Sequence, residues 1–146
     1  MKAAIIGAGG IGRALAAMLS QAGHDVTLVF RTAEAARLVA NDGLQVTGVG
    51  DFEARVTSRT GRLEGQHDLA ILAIKTYDTE RALEQLDPMA VDVVLSAQNG
   101  VRKDDLLQSW APGRAIGAVI QITASRMLPT GVRIAAIEPS FAGELD

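Results

Sequence analysis

Short, nearly uninterrupted apolar runs alternate along this chain with segments in which apolar residues recur three and four positions apart. Residues 3–6, 26–30, 68–74 and 91–96 are such runs, dominated by Ala, Val, Ile and Leu. A run without alternation marks a strand covered on both faces, as in a parallel sheet. Over residues 10–21, Ile11, Leu15, Met18 and Leu19 recur at helical spacing, and Gly23 stands where a C-terminal cap belongs. Thr32 is a natural N-cap for an Ala-rich helix reaching to about residue 40, which Asn41-Asp42-Gly43 ends. Residues 79–86 are expected to be helical up to Asp87-Pro88, and residues 103–110 up to Ala111-Pro112-Gly113. Residues 116–122 and 132–137 predict two further strands. The texture changes over residues 44–58, where Leu44, Val46, Phe52, Ala54 and Val56 alternate with polar residues around Gly48-Val49-Gly50-Asp51. That pattern predicts a hairpin or short edge strands.

The β, α, β, α order predicts a doubly wound, mostly parallel sheet with helices on both faces. The turn after the first strand, Gly7-Ala8-Gly9-Gly10-Ile11-Gly12, fits G-x-G-x-x-G. Three glycines can mark a tight turn and nothing more. Here the motif follows a buried strand, opens a helix and heads a βαβ unit, the context of a Rossmann-type dinucleotide site. In such a site the first glycine makes the turn, the second lets a pyrophosphate approach the backbone, and the third allows close helix–strand contact. The free N–H groups and positive dipole end of the following helix face the phosphates. The expectation is one Rossmann-type α/β domain over residues 1–146.

The end of the second strand distinguishes the two nicotinamide cofactors. An acidic residue there would bond the adenosine ribose diol, whereas this chain carries Arg31 followed by Thr32. A guanidinium pairs with a 2′-phosphate in a bidentate, charge-assisted fashion, and the Thr32 hydroxyl and amide can assist it. NADP(H) is therefore the expected cofactor, the alternative being that Arg31 only caps a strand end in solvent. Glu34 belongs to the next helical turn and supports its N-terminus.

Parallel strands place their carboxyl ends on one sheet edge, so Lys75 and Asn99 are expected beside the glycine turn. Lys75 can contact a phosphate or a substrate carboxylate. Asn99 can bond a ribose hydroxyl, a carboxamide or a substrate hydroxyl, although Asn-Gly is also a common turn dipeptide. His24 and His67 precede strands at the opposite edge and read as surface or packing residues.

Composition narrows the classes. With 48 % hydrophobic residues the chain can bury a substantial core, and with 3 % aromatic residues it suits helix-on-sheet packing better than an aromatic-lined cavity. A formal charge of −3, from 14 Lys and Arg against 17 Asp and Glu, gives no basic surplus for nucleic acid. The chain has no cysteine, which excludes disulfides and thiolate chemistry, and its acidic residues show no metal-ligand spacing. The apolar run over 69–74 is far shorter than the about 20 residues that span a bilayer, and no signal-like segment opens the chain. A cytoplasmic protein is expected, with no nucleic acid or membrane partner; assembly as a homo-oligomer is compatible with this reading.

Four segments together give a resemblance: Ile5-Ile6-Gly7-Ala8-Gly9-Gly10-Ile11-Gly12, Arg31-Thr32, Leu72-Ala73-Ile74-Lys75-Thr76-Tyr77-Asp78-Thr79, and Gln98-Asn99-Gly100-Val101. Along essentially its whole length the chain resembles the N-terminal NADP-binding domain of the ketopantoate reductase (2-dehydropantoate 2-reductase) family. The resemblance implies NADPH-dependent reduction of ketopantoate to pantoate, in pantothenate and coenzyme A biosynthesis. It implies that Arg31 holds the 2′-phosphate, that Lys75 lies beside the cofactor, and that Asn99 contacts both cofactor and substrate.

Two departures stand out. The family usually shows a polar, Thr-rich stretch where this chain has Ala118-Val119-Ile120-Gln121-Ile122-Thr123-Ala124. The family's catalytic lysine and several substrate residues belong to a helical second domain, and this chain closes on Gly143-Glu144-Leu145-Asp146. No residue here is assigned as catalytic, and a 2-keto acid substrate is expected only once a second domain is supplied. The chain then reads as the cofactor half of a reductase, inactive alone, or as a stand-alone NADP(H)-binding or sensing module.

Overall fold

In a computed structural model of the protein, residues 1–145 are described; the terminal Asp146, last residue of the expected domain, lies outside them. The first strand, β1 (Lys2–Ile6), runs into the glycine turn and helix α1 (Gly10–Gln21). β2 (Asp25–Phe30) follows, then α2 (Ala33–Asp42), whose N-terminus is capped by the Thr32 hydroxyl accepting from the Ala35 N–H at 3.4 Å. Next come β3 (Leu44–Gly48), β4 (Phe52–Ala54), β5 (Thr57–Thr60) and β6 (His67–Leu72). A 3-10 turn (Thr76–Asp78) leads into α3 (Thr79–Leu83), and another (Pro88–Ala90) into β7 (Val91–Ser96). The described chain closes with α4 (Arg102–Trp110), β8 (Ala115–Val119), β9 (Ile122–Arg126), β10 (Gly131–Ile137) and β11 (Phe141–Glu144).

Seven strands form one sheet in the order β11-β8-β7-β6-β1-β2-β5. All neighbours are parallel except β11, which runs antiparallel to β8. Read from β5 and numbered by their succession in this sheet, the six parallel strands have the order 3-2-1-4-5-6 of a doubly wound Rossmann sheet. The order reverses between β1 and β6, so the crevice of such a sheet opens at their carboxyl ends. Helices cover both faces. Ile5, Leu28, Phe30 and Ile71 point toward α1 and α2, and Ala4, Ile6, Ala70, Leu72 and Val94 toward α3 and α4.

Four strands lie apart in a second sheet, ordered β4-β3-β10-β9. Residues 44–58 thus divide: β3 and β4 form the expected antiparallel hairpin, pairing Leu44 with Ala54, while β5 joins the large sheet beside β2. The small sheet packs on α1, with Val46, Val132 and Ile134 buried in the same apolar cluster as Ala14, Ala16 and Ala17. Helix α1 is therefore enclosed between two sheets.

Three expectations need correction. The apolar run over 116–122 is two strands: β8 ends at Val119, and the chain crosses at Ile120 and Gln121 into β9 of the small sheet. Hydrogen bonds fix the crossing, Gln121 N–H donating to Ser140 Oγ at 2.9 Å and Glu138 N–H to the Gln121 carbonyl at 2.8 Å. The run is continuous because both sheets bury onto the same core. The strand expected over 68–74 stops at Leu72; Ala73 keeps one bond to the sheet, its N–H donating to Ile6, and Ala73 and Ile74 lie against Gly7. The helix expected over 79–86 ends at Leu83, after which the chain tightens into bonds between residues three apart, Gln85 N–H to Ala82 and Leu86 N–H to Leu83.

His67 is buried at the amino edge of the sheet, as a packing residue, while His24 is half-buried. The His67 Nδ1 lies 3.1 Å from the Gly65 carbonyl, and its Nε2 is buried without a partner. Burial lowers the His67 pKa from the usual histidine value, against the raising effect of the Gly65 bond. Below a pH of about 6.5 the unfolded chain takes up a proton that the folded chain refuses. Stability is expected to fall as pH drops from 7 towards 5, and His67→Gln to flatten that slope in urea unfolding midpoints. An unchanged slope would show that another group carries it.

Candidate functional site

The glycine turn is built by three different constraints. Gly7 has φ +111°, and a Cβ there would lie 2.6 Å from Ile74 Cγ2 and 2.8 Å from the Ala73 carbonyl oxygen. Gly12 is buried against the turn itself: a Cβ would run into the Gly7 carbonyl oxygen and sit 3.3 Å from Ala73 Cβ. Gly9 is unlike both. Its backbone is extended, at φ −74° and ψ −169°, and a Cβ on it would meet no protein atom within 4 Å. Nothing inside the protein demands glycine at position 9, and the space over this exposed turn is open. Gly10 answers a fourth demand, since a Cβ there would meet the Ala124 carbonyl oxygen in β9.

α1 starts at this turn with no side-chain cap and no acidic residue in its first turn. Its first N–H groups are left for an external acceptor, and the positive end of the helix dipole lies with them. Ala8 and Ile11 are half-buried beside it.

Strand register carries the other expected residues to the same edge. Ile6 pairs with Val29 and with Leu72, and Leu72 with Ser96. Backbone bonds continue one residue further, Gly7 N–H to Val29 at 3.1 Å, Ala73 N–H to Ile6 at 2.8 Å and Ala97 N–H to Leu72 at 2.9 Å. Arg31, Lys75 and Asn99 follow these strand ends, and with Thr32 all are exposed. Neither Arg31 nor Lys75 is in an ion pair among the described residues, where the pairs are Arg55 with Glu53, Arg59 with Glu64 and Lys103 with Asp104. Asn99 precedes Gly100 at φ +95°, so the dipeptide forms a turn and also presents Asn99 at the edge.

Two features behind the edge were not anticipated from the sequence. Arg13 is almost completely buried on the side of α1 facing the small sheet. Its Nε donates to the Ala8 carbonyl at 3.1 Å, and its Nη1 reaches the carbonyls of Met127, Pro129 and Gly131 at 3.2, 3.1 and 3.0 Å. One guanidinium thus ties the glycine turn to the β9–β10 connection. Burial, aided by nearby Arg126, lowers its pKa from the usual arginine value. The sequence signal was there: Arg13 shares a helical stripe with Ala16 and Ala17, where a charge is out of place unless bonded. The second feature is a buried hydrogen-bond chain through Ser96, Gln98 and Thr79, between the loops bearing Asn99 and Lys75.

A hollow of about 390 Å³ between Met18, Phe52 and Ile137 lies toward the far end of α1 and takes no part in this edge. Among the described residues no group of His, Asp and Glu is arranged to hold a metal ion, and no helix is long and apolar enough to cross a membrane.

The strand order, the glycine turn and the uncapped helix define a Rossmann-type domain. Residues 3–146 match the family described as ketopantoate reductase PanE/ApbA, and the chain belongs to that family. It is 35 % identical over 120 residues to a 2-dehydropantoate 2-reductase of Pyrococcus abyssi, covering 82 % of this chain and 39 % of that protein. Among solved structures, 2-dehydropantoate 2-reductase from Geobacter metallireducens GS-15 superposes with a TM-score of 0.83 at 27 % identity, covering 99 % of this chain and 49 % of that one. D-mandelate dehydrogenase solved with NADH gives 0.77 at 26 % identity, over 97 % of this chain and 45 % of that one. The chain spans about half the length of these relatives or less, and aligns with their Rossmann-type N-terminal part.

The constraints on Gly9 and Gly12 separate in stability. Gly9→Ala is expected to leave urea unfolding, followed by the fluorescence of Trp110, within about 0.5 kcal/mol of the parent. Gly12→Ala is expected to lose about 1–3 kcal/mol, because the overlap is with backbone, which cannot rotate away. Equal effects at the two positions would contradict this account of the turn.

Proposed function

We propose that this sheet edge binds NADP(H), and that the chain is the cofactor half of a ketopantoate reductase-like oxidoreductase. Membership of the family and the Rossmann order support a nicotinamide dinucleotide. The observation that carries the reading is Gly9, where the protein leaves open space over an uncapped helix N-terminus, the shape and polarity a pyrophosphate needs. Gly7, Ala8, Gly9, Gly10, Ile11 and Gly12 form the phosphate cradle. Arg31 supports the phosphorylated cofactor, standing exposed and unpaired among the described residues at the end of β2, with Thr32 beside it. That preference would set this chain apart from the D-mandelate dehydrogenase solved with NADH.

Lys75 and Asn99, at the ends of β6 and β7, belong to the side of the crevice nearer the nicotinamide. Lys75 offers a cation to a phosphate or substrate carboxylate, and Asn99 an amide to cofactor and 2-keto acid alike. NADPH would supply the hydride for reducing 2-dehydropantoate to pantoate, the reaction for which several relatives are named. Reduction of a ketone also needs an acid to protonate the developing alkoxide. In this reading the acid belongs to a second domain, and the whole enzyme serves pantothenate synthesis in the cytoplasm.

Titration with NADPH and NADH, followed by nicotinamide fluorescence, tests the reading. NADPH is expected to bind more tightly, and Arg31→Ala to weaken it by about tenfold or more while leaving NADH unchanged. Equal affinities unaffected by the substitution would overturn the preference for NADP(H). Mixed with NADPH and ketopantoate, the chain alone is expected to show no oxidation at 340 nm above a protein-free control. Clear turnover would place the acid within residues 1–146.

A further inference from the structure

We infer that the buried Thr79–Gln98–Ser96 chain is a positioning device that sets the nicotinamide side of the crevice, an inference that rests on the NADP(H) reading of this edge. β6 and β7 are joined by backbone hydrogen bonds only as far as Ala97 N–H to the Leu72 carbonyl. Beyond that bond the two chains part, one toward Lys75 and the other toward Asn99. Side chains restore the link. Gln98 Nε2 donates to Thr79 Oγ1 at 2.8 Å, and Thr79 Oγ1 donates onward to the Thr76 carbonyl at 2.8 Å. Ser96 Oγ donates to Gln98 Oε1 at 2.9 Å and accepts from the Gln98 N–H at 3.1 Å.

The polarity of this chain is fully determined. The Thr79 hydroxyl proton is committed to Thr76, so its oxygen is free to accept from the Gln98 amide, which in turn accepts from Ser96. Ser96, Thr79 and Gln98 are 0 %, 2 % and 8 % exposed, so water does not compete for these groups. A buried network in which each member is satisfied fixes one geometry, because any rotation leaves a polar group unpaired in low dielectric.

The consequences reach the exposed residues through the backbone. Gln98 is drawn inward, and its neighbour Asn99 is left exposed at the sheet edge. Thr79 holds the carbonyl of Thr76, the first residue of the 3-10 turn that Lys75 caps. One chain of side-chain bonds therefore sets the separation of the loops carrying Lys75 and Asn99. The adenosine side, at the end of β2, has no bond to it.

The test compares NADPH with 2′,5′-ADP, which carries the phosphorylated adenosine but no nicotinamide. In the parent chain NADPH is expected to bind more tightly than 2′,5′-ADP. Thr79→Val, nearly isosteric but unable to bond, is expected to weaken NADPH by about tenfold and leave 2′,5′-ADP unchanged. Thr79→Ser, which restores the hydroxyl, should recover NADPH affinity, and Gln98→Met should repeat the selective loss. Unchanged 2′,5′-ADP binding also reports that each variant is folded. Equal loss for both ligands, no loss for either, or a parent chain that binds the two alike would overturn the positioning role alone. A parent chain that binds neither ligand would overturn the dinucleotide reading and this inference with it.

Discussion

The contact on which the rest of the structure depends is the one between the first turn of α1 and the carbonyl of Gly7. Position 12 has room for a hydrogen and no more, so the helix lies directly against the turn that launches it. That closeness sets the path of α1 across the sheet, with Ala14, Ala16 and Ala17 pressed into the core. Small side chains are required there because α1 is covered on its other side as well, by β9 and β10. The small residues Gly10, Gly12, Ala14, Ala16 and Ala17 are thus a consequence of being enclosed.

Such packing leaves few places for polar atoms, and the protein puts them where they tie loops together. Arg13 bonds four backbone carbonyls, one in the glycine turn and three at the β9–β10 connection, where the Gly131 carbonyl also accepts from the Met127 N–H. Lys103 ties the start of α4 to β8, its Nζ donating to the Ala118 carbonyl at 2.9 Å and to Asp104 at 2.7 Å. Gln98 joins two strand ends. In each case a buried cation or amide joins segments that no backbone hydrogen bond links.

The sequence made the large sheet readable because its strands are covered on both faces, and continuous apolar runs such as residues 3–6 and 91–96 have little other explanation. It also gave the glycine turn, the Thr32 cap and the convergence of Arg31, Lys75 and Asn99, which follow from parallel order alone. The small sheet was only half legible. β3 and β4 announced a hairpin by alternation, but their pairing with β10 is a contact between residues far apart in the chain, set by Val46 and Val132 meeting over α1. Periodicity measures faces, not partners, so residues 116–122 read as one strand although they serve two sheets. Arg13 and Gln98 were missed for a related reason: the stripe shared with Ala16 and Ala17 marks Arg13 as out of place, but the chain does not show the partners of either residue, and those of Arg13 lie as far as 118 positions away.

Enclosure of α1 between two sheets has a further consequence for its N-terminus. A helix held on one side can rock, carrying its end with it, whereas one clasped from both sides keeps its amides aimed in a single direction before any ligand arrives. On the dinucleotide reading proposed above, an anion docking there would meet a helix already held, and the entropy lost on binding would fall mainly on the anion. The contacts that hold the helix on both sides are the same ones that call for alanine at positions 14, 16 and 17.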